Sequence, residues 1–340
     1  MSIRCDIFCA VIDNLGDAGV CWRLARQLAV EFGWRVRLWI DDPMLLDWMA
    51  PDRQGVEVCR WEGDFAKAEP ADVVIESFAC TLPARYIEAM RARTRPPVWL
   101  NLEYLSAEDW VTGCHGLPSP QAGLQKFFFF PGFVPGTGGL LRERDRAVPP
   151  APTFDGALEI SLFCYENPQL AALLEAWRDG SRPIHCHVCA GLPQPQVAAW
   201  LGEAFSPGDT IQRGNLILSA LPFLTQRDYD ALLDRCHLNF VRGEDSFVRA
   251  QWAQRPFVWQ VYAQAGHAHL AKLAAFLNLY SDESAVRAFF QAWNGEGLLD
   301  WPAFAACLPA LTEKAPGWAR KIAAHGDLAT NLVNFCLARL

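Results

Sequence analysis

Short apolar segments alternate with helical segments along most of this chain, and this alternation limits the fold more than any other feature. The apolar run from Cys5 to Ile12 precedes a helical pattern that stops at Gly33, and an alternating strand pattern follows from Val36 to Ile40. This strand–helix–strand order predicts a parallel sheet covered by helices. Further strands are predicted at Val73 to Ile75, Val98 to Leu102 and Phe127 to Phe130.

The second half of the chain repeats this order. Predicted strands begin at Leu158, Ile184, Asn215 and Leu238, with helical patterns between them, which favours a second doubly wound sheet. A charged and proline-rich run from Arg142 to Gly156 predicts the linker between domains. We therefore expect an α/β protein with domains 1–150 and 151–325, and a C-terminal helix within 326–340 that packs back on the N-terminal domain.

Charge and hydropathy exclude several classes of protein. The net charge of −8 argues against a binder of nucleic acid or of anionic membranes. No apolar run reaches the roughly 18 residues that a membrane span needs. The twelve cysteines are scattered and follow no secretory signal. We expect a cytoplasmic monomer with reduced thiols.

The first loop, DNLGDAG, carries two acidic residues at the carboxyl end of the first strand, where open α/β sheets bind ligands. Asp13 and Asp17 are candidate catalytic residues, and Asn14 and Gly16 lie between them. Asp17 is suited to act as a general base or to bind a cation, or alternatively to cap a helix beginning at Ala18. The glycine patterns of nicotinamide and Walker-type nucleotide sites are absent from this loop.

The segment Arg242 to Gln251, RGEDSFVRAQ, predicts a strand, a turn at Gly243 and a helix. The N-terminus of such a helix attracts phosphate. Asp245 or Ser246 is predicted to cap the helix, and Glu244 to face the ligand. The alternative is an ordinary capped turn with no ligand.

Aromatic side chains follow the predicted strands of the second half. Phe163, Tyr165, Phe223 and Tyr229 are candidates to stack on a nucleotide base, with core packing as the alternative for each. Gln226 beside them is placed either to read a base edge or to cap a helix.

Two other motifs carry less weight. Cys186 and Cys189 form a CxxC with His185 and His187 beside them, but no second pair accompanies it at finger spacing. Buried thiols are therefore favoured, and we predict no metal ligands. No GxSxG elbow indicates a serine hydrolase.

Several motifs together resemble the bacterial protein-arginine rhamnosyltransferases, which modify translation elongation factor P. They occur in order from near residue 10 to about residue 280, and RGEDSFVRAQ and DNxGDxG are the most specific. The others are VIESFAC, LNLEYLSAEDW, SLFCYEN and LPFLTQRDYDALL.

This resemblance implies a GT-B-type glycosyltransferase, with two Rossmann-like domains facing a cleft and the donor in the C-terminal one. It implies transfer of L-rhamnose from dTDP-β-L-rhamnose to an arginine of elongation factor P, with inversion and without a metal ion or other cofactor. The acidic residues that match are Asp13, Asp17 and Glu244. The predicted donor site comprises Phe163, Tyr165, Phe223, Gln226, Tyr229, Arg242, Gly243, Asp245, Ser246 and Phe247. Tyr229 replaces what is often Phe, and Ala263 stands where Pro is expected.

On this interpretation Asp17 is the base or the orienter of the acceptor nitrogen, assisted by Asp13. The amides at Asp245, Ser246 and Phe247 stabilise the leaving diphosphate, and Glu244 holds sugar hydroxyls or the arginine. Two alternatives stay open: a glycosyltransferase with another donor or acceptor, and a non-catalytic nucleotide-binding regulator.

Overall fold

The computed structural model describes residues 2–12, 15–53, 55–62, 65, 69–151, 153 and 156–340. The chain forms two compact units, each with its own sheet. The first comprises Met1–Arg146 and Ile322–Leu340, and the second comprises Ala147–Lys321.

The first unit contains a seven-stranded sheet in the order β3-β2-β1-β4-β5-β7-β6, parallel except for the edge pair β6 and β7. The inner strands β4 and β5 are buried along their whole length, as expected for a sheet covered on both faces. The strands are β1 (Arg4–Cys9), β2 (Arg35–Ile40), β3 (Val56–Arg60), β4 (Val73–Ser77), β5 (Val98–Leu102), β6 (Pro118–Gln121) and β7 (Leu124–Phe129).

Helices that lie wholly within the first unit complete its described part, and α1 is the longest of them. It ends at Gly33, whose φ of +67° is easily adopted by glycine and whose N–H donates to the carbonyl of Ala29 at 3.1 Å. The helices are α1 (Leu15–Phe32), α2 (Leu45–Met49), α3 (Ala84–Ala92), α4 (Trp110–Cys114) and α12 (Leu328–Leu337).

The last helix, α12, packs on the first unit through main-chain and aromatic contacts. Leu328 N–H donates to the carbonyl of Leu140 at 3.0 Å, and the Phe335 ring lies 5.6 Å from that of Phe129. Gly139, at φ +76°, approaches the loop before α12 so closely that a Cβ there would lie 2.7 Å from the carbonyl oxygen of Gly326. A side chain at position 139 would therefore clash with this loop, so the contact requires glycine.

The second unit contains a six-stranded sheet in the order β10-β11-β9-β8-β12-β13, parallel except for β10 and β11. The strands are β8 (Leu158–Leu162), β9 (Ile184–Val188), β10 (Thr210–Arg213), β11 (Leu216–Ala220), β12 (Leu238–Arg242) and β13 (Phe257–Gln260). The helices are α5 (Leu170–Asp179), α6 (Pro193–Leu201), α7 (Gln226–Arg235), α8 (Asp245–Ala253), α9 (Ala268–Tyr280), α10 (Ser284–Trp293) and α11 (Trp301–Ala323), which extends into the first unit.

The predicted α/β class and the two doubly wound sheets are confirmed. One predicted end differs, since β1 stops at Cys9 instead of Ile12. Helix α6 begins at Pro193, a residue suited to the first helical turn. All twelve cysteines are free thiols, as predicted. Within the described part of the chain, no helix combines the length and apolarity that crossing a bilayer requires.

Candidate active site

Asp17 lies in the first turn of α1, the helix that follows β1 in the chain. Its side chain is buried, and Oδ2 accepts a hydrogen bond from the N–H of Ile12 at 2.9 Å. The positive end of the helix dipole favours an ionised carboxylate here. Gly16 belongs to the same turn of α1, whereas the other two predicted loop residues, Asp13 and Asn14, lie outside the described residues.

The predicted alternative role of Asp17 as the cap of a helix beginning at Ala18 is wrong. The helix already begins at Leu15, so Asp17 is inside its first turn and holds the preceding loop instead. The apolar spacing used for the prediction marks the buried face of a helix and does not locate its first residue.

The neighbouring strand β4 carries a second buried carboxylate, which was not among the predicted site residues. Glu76 is paired in register with Phe8 of β1, and Lys126 Nζ lies 2.7 Å from its Oε2. Burial raises the pKa of Glu76, against the opposing effect of Lys126. The signal was present in VIESFAC, since an acid in an otherwise apolar strand must find a partner or a function.

Strand β4 ends in an unusual backbone conformation. Phe78 and Ala79 have φ values of +58° and +56°, and the N–H of Ala79 donates to Asn101 Oδ1 at 3.1 Å. The Phe78 ring stacks on Tyr104 at 4.4 Å. Non-glycine residues in this region carry strain of about 1 kcal/mol or more each, which occurs preferentially at functional sites.

In the second unit, the RGEDSFVRAQ segment forms the predicted strand, turn and helix. Arg242 ends β12, Gly243 turns with φ +60°, and α8 begins at Asp245. The predicted cap is wrong: Asp245 is already helical, and the Ser246 hydroxyl accepts from the N–H of Arg242 at 3.0 Å and donates to its carbonyl. Ser246 therefore fixes the end of the strand instead of the helix terminus.

Glu244 immediately precedes α8, and its carbonyl accepts the N–H of Val248 at 2.9 Å. Its side chain makes no capping hydrogen bond and is half-buried. The N-terminal N–H groups of α8 therefore begin at the predicted turn. Phe247 contributes to this turn only through its main chain, because its ring is fully buried and stacks on Trp259 at 3.8 Å.

Arg242 is the main charged group of this turn, and two predicted aromatic residues enclose it. Its Cζ lies 4.4 Å from the ring centre of Phe163 and 4.5 Å from that of Tyr165. The side chain is only 8% exposed, and no carboxylate oxygen of the described residues lies within salt-bridge distance. The rings hold a desolvated cation whose charge is available to an anionic ligand.

The remaining predicted donor residues lie on and beside α7. The Tyr229 ring contacts Phe163 edge-on at 5.7 Å, and its hydroxyl is buried with no hydrogen-bond partner of normal geometry among the described residues. Burial raises the pKa of Tyr229 well above its usual value, and the nearby Ser246 opposes this only in part. Phe223 is 56% exposed, and Gln226 is the first residue of α7.

The CxxC thiols are buried, as predicted. Cys186 is fully inaccessible and Cys189 is 5% exposed, and burial raises the pKa of Cys189 to about 12. Both therefore stay protonated at neutral pH and are poor nucleophiles or metal ligands.

Comparison with known proteins extends the likeness to the whole chain. Residues 5–337 match the model of the elongation factor P (EF-P) rhamnosyltransferase EarP family. A protein-arginine rhamnosyltransferase of Pseudomonas putida is 49% identical, over 98% of this chain and 99% of the relative. A solved structure concerning EarP-mediated arginine glycosylation of translation elongation factor EF-P covers both chains completely, at 35% identity and a TM-score of 0.69.

The fold is shared more widely than the sequence. Acinetobacter baumannii MurG, only 13% identical, matches over 99% of this chain and 100% of its own with a TM-score of 0.53. The architecture is thus that of GT-B glycosyltransferases, two Rossmann-like domains in one chain. The chain belongs to the elongation factor P rhamnosyltransferase (EarP) family of protein-arginine glycosyltransferases.

Proposed function

We propose that this protein transfers L-rhamnose from dTDP-β-L-rhamnose to an arginine side chain of elongation factor P. Family membership supports the reaction, and the acceptor follows from what the family description and the similar solved structure name. The observation that carries the donor half is Arg242, a buried cation held between Phe163 and Tyr165 beside the N-terminus of α8.

The acceptor is a poor nucleophile, because a guanidinium stays protonated and its lone pairs are delocalised. Asp17 is a buried carboxylate at the start of α1, oriented by the N–H of Ile12. In our proposal it binds the guanidinium, directs one nitrogen at the sugar carbon and accepts the proton that this nitrogen loses. We assign Asp13 to assist it.

The leaving group is a nucleoside diphosphate whose negative charge grows as the glycosidic bond breaks. Arg242 supplies a full positive charge, and the N-terminal turn of α8 from Asp245 to Phe247 supplies oriented N–H groups. These groups can stabilise that charge, so we propose that the transfer requires no metal ion. Phe223 and Tyr229 are assigned to the nucleotide base, and Glu244 to sugar hydroxyls or the acceptor arginine.

A single displacement inverts the sugar carbon and leaves no sugar on the enzyme. Rapid quench followed by intact-mass analysis should therefore find unmodified protein at every time point during turnover. A rhamnosylated aspartate or glutamate would contradict the inverting mechanism while leaving the donor and acceptor assignments intact.

The deciding experiment is mass spectrometry of elongation factor P from the same organism, incubated with this protein and dTDP-L-rhamnose without added metal. We expect a deoxyhexose on one arginine. Release of dTDP with an unmodified acceptor would show that the acceptor is wrong. Absence of both donor binding and turnover would favour the regulator interpretation.

Asp17→Asn tests the catalytic assignment, and Asp41→Asn is its matched control. Each carboxylate accepts a main-chain N–H of the segment after β1, Asp17 from Ile12 at 2.9 Å and Asp41 from Val11 at 3.0 Å. We expect Asp17→Asn to abolish turnover while donor binding persists, and Asp41→Asn to retain turnover. Equal losses in the two variants would mean that Asp17 acts only by holding the loop.

A further inference from the structure

Three potential metal ligands lie together on one face of the second sheet, outside the donor turn. Glu159 of β8 is paired in register with His185 of β9, and His187 lies two residues after His185 on the same strand. Residues two apart on a strand point to the same face. One nitrogen from each histidine and one carboxylate oxygen all lie within 4.8 Å of one another.

The contacts around these side chains suit a cation. Glu159 Oε2 lies 2.5 Å from His187 Nε2 and 3.4 Å from His185 Nδ1, and His185 Nε2 lies 2.9 Å from Ser219 Oγ. When His185 donates its Nε2 proton to Ser219, its Nδ1 lone pair faces the carboxylate. Such an outer hydrogen bond is the usual device for fixing the tautomer of a metal-ligating histidine.

We propose that Glu159, His185 and His187 bind a divalent transition-metal ion, and that zinc is the best chemical match. Two imidazoles and one carboxylate are typical zinc ligands, with a remaining position open to water. Tetrahedral zinc places its ligand atoms about 3.3 Å apart. The carboxylate to His185 distance already fits, and Glu159, whose side chain is 33% exposed, has room to move away from His187.

The neighbouring candidates are excluded as further ligands. His237 uses both ring nitrogens, since Nδ1 accepts the N–H of Glu159 at 2.8 Å and Nε2 lies 2.6 Å from the carbonyl oxygen of Thr153. Cys186 and Cys189 are buried with raised pKa values. The site thus uses neither thiol of the CxxC motif, and it departs from our prediction of no metal ligands.

Two of the three proposed ligands lie near the strand ends opposite the donor turn. Glu159 and His185 are each the second residue of their strands, and His187 is the fourth of the five residues of β9. Arg242 and Phe163 lie at or just beyond the opposite ends of β12 and β8. We therefore assign the ion a role in joining β8 to β9 and not in rhamnose transfer.

The test is calorimetric titration of the tag-free, chelator-treated full chain with zinc chloride alone. We expect one zinc ion per chain, and a loss of affinity of at least about 10-fold in His187→Gln and in Glu159→Gln. His269→Gln is the matched control, because His267 and His269 form another closely spaced pair with ring centres 6.1 Å apart. That variant should bind zinc like the parent.

Cobalt spectroscopy of the same proteins gives an independent readout. Binding through two histidines and a carboxylate should give visible bands without the intense near-ultraviolet band of a thiolate ligand. A thiolate band, unchanged zinc affinity in both Glu159→Gln and His187→Gln, or no specific zinc binding by the parent would each overturn the proposal. Circular dichroism of Glu159→Gln, which keeps the size of the side chain, checks that the fold is retained.

Discussion

At the scale of single residues, the donor site shows what a sequence can and cannot reveal. The strand, turn and helix around Gly243 followed from local order alone, and so did the presence of aromatic residues after β8. The enclosure of Arg242 by Phe163 and Tyr165 did not follow, because it depends on the register that places β8 beside β12. Likewise, the cap predicted at Ser246 failed because its hydroxyl bonds to the preceding strand.

Arg242 should be far more sensitive to substitution than its charge alone suggests. Arg242→Lys keeps the charge but loses the planar group that lies between two rings and can grip a phosphate with a fork of N–H donors. We expect the KM for dTDP-rhamnose to rise about 10-fold in Arg242→Lys and about 100-fold in Arg242→Ala, from losses of about 1.4 and 2.7 kcal/mol. Steady-state kinetics at saturating acceptor measures both, and equal KM values for Arg242→Lys and the parent would refute the assignment.

Tyr229 and Tyr86 should respond in opposite directions to loss of the hydroxyl. The Tyr229 hydroxyl is buried without a normal hydrogen bond, so Tyr229→Phe should raise the free energy of unfolding by about 1 kcal/mol. The Tyr86 hydroxyl donates to the buried carboxylate of Asp6, so Tyr86→Phe should lower it by about 2 kcal/mol. Thermal denaturation compares the two. A lower free energy of unfolding in Tyr229→Phe would show that the phenol hydroxyl has a hydrogen-bond partner. In that case the affinity for the donor should fall as well.

At the scale of helices and strands, apolar patterns predicted the buried strands, such as β4 and β5, and missed the exposed edge strands. The edge strands β6 and β10 have four residues each and are largely exposed, and β6 also contains two prolines. They form because each pairs antiparallel with its neighbour, a contact that leaves no hydrophobic pattern. Helix α12 was predicted as an element, but its contacts with Leu140 and Phe129 come from tertiary structure.

Helix α12 should be essential to the first unit. It buries Leu328, Leu332, Val333 and Cys336, and each large apolar side chain contributes about 1.5 to 3 kcal/mol. Removing residues 326–340 therefore costs an amount comparable to the whole stability of a typical domain, about 5 to 15 kcal/mol. We expect the first unit to lose its protection from hydrogen exchange.

Leu332→Ala provides a milder test of the same helix, with an expected loss of about 2 to 5 kcal/mol. Removing only residues 338–340, which follow α12, should have little effect. A chain truncated after His325 that kept the thermal transition and exchange protection of the parent would show that α12 adds nothing to the unit.

At the scale of the whole molecule, the net charge of −8 bears on the protein acceptor more than on the donor. An acidic enzyme attracts an acceptor whose modified arginine lies in a basic surface, and mobile ions screen that attraction beyond about 10 Å at 0.1 M salt. The interactions proposed for the donor act at short range through the buried Arg242 and are screened less. We therefore expect the KM for elongation factor P to rise several-fold between about 0.05 and 0.5 M sodium chloride, and the KM for dTDP-rhamnose to rise less. Parallel titrations with potassium glutamate are the control, because they screen charges without adding chloride that could compete for the donor site. A KM for the protein acceptor that did not change with salt would exclude long-range attraction as a source of acceptor recognition.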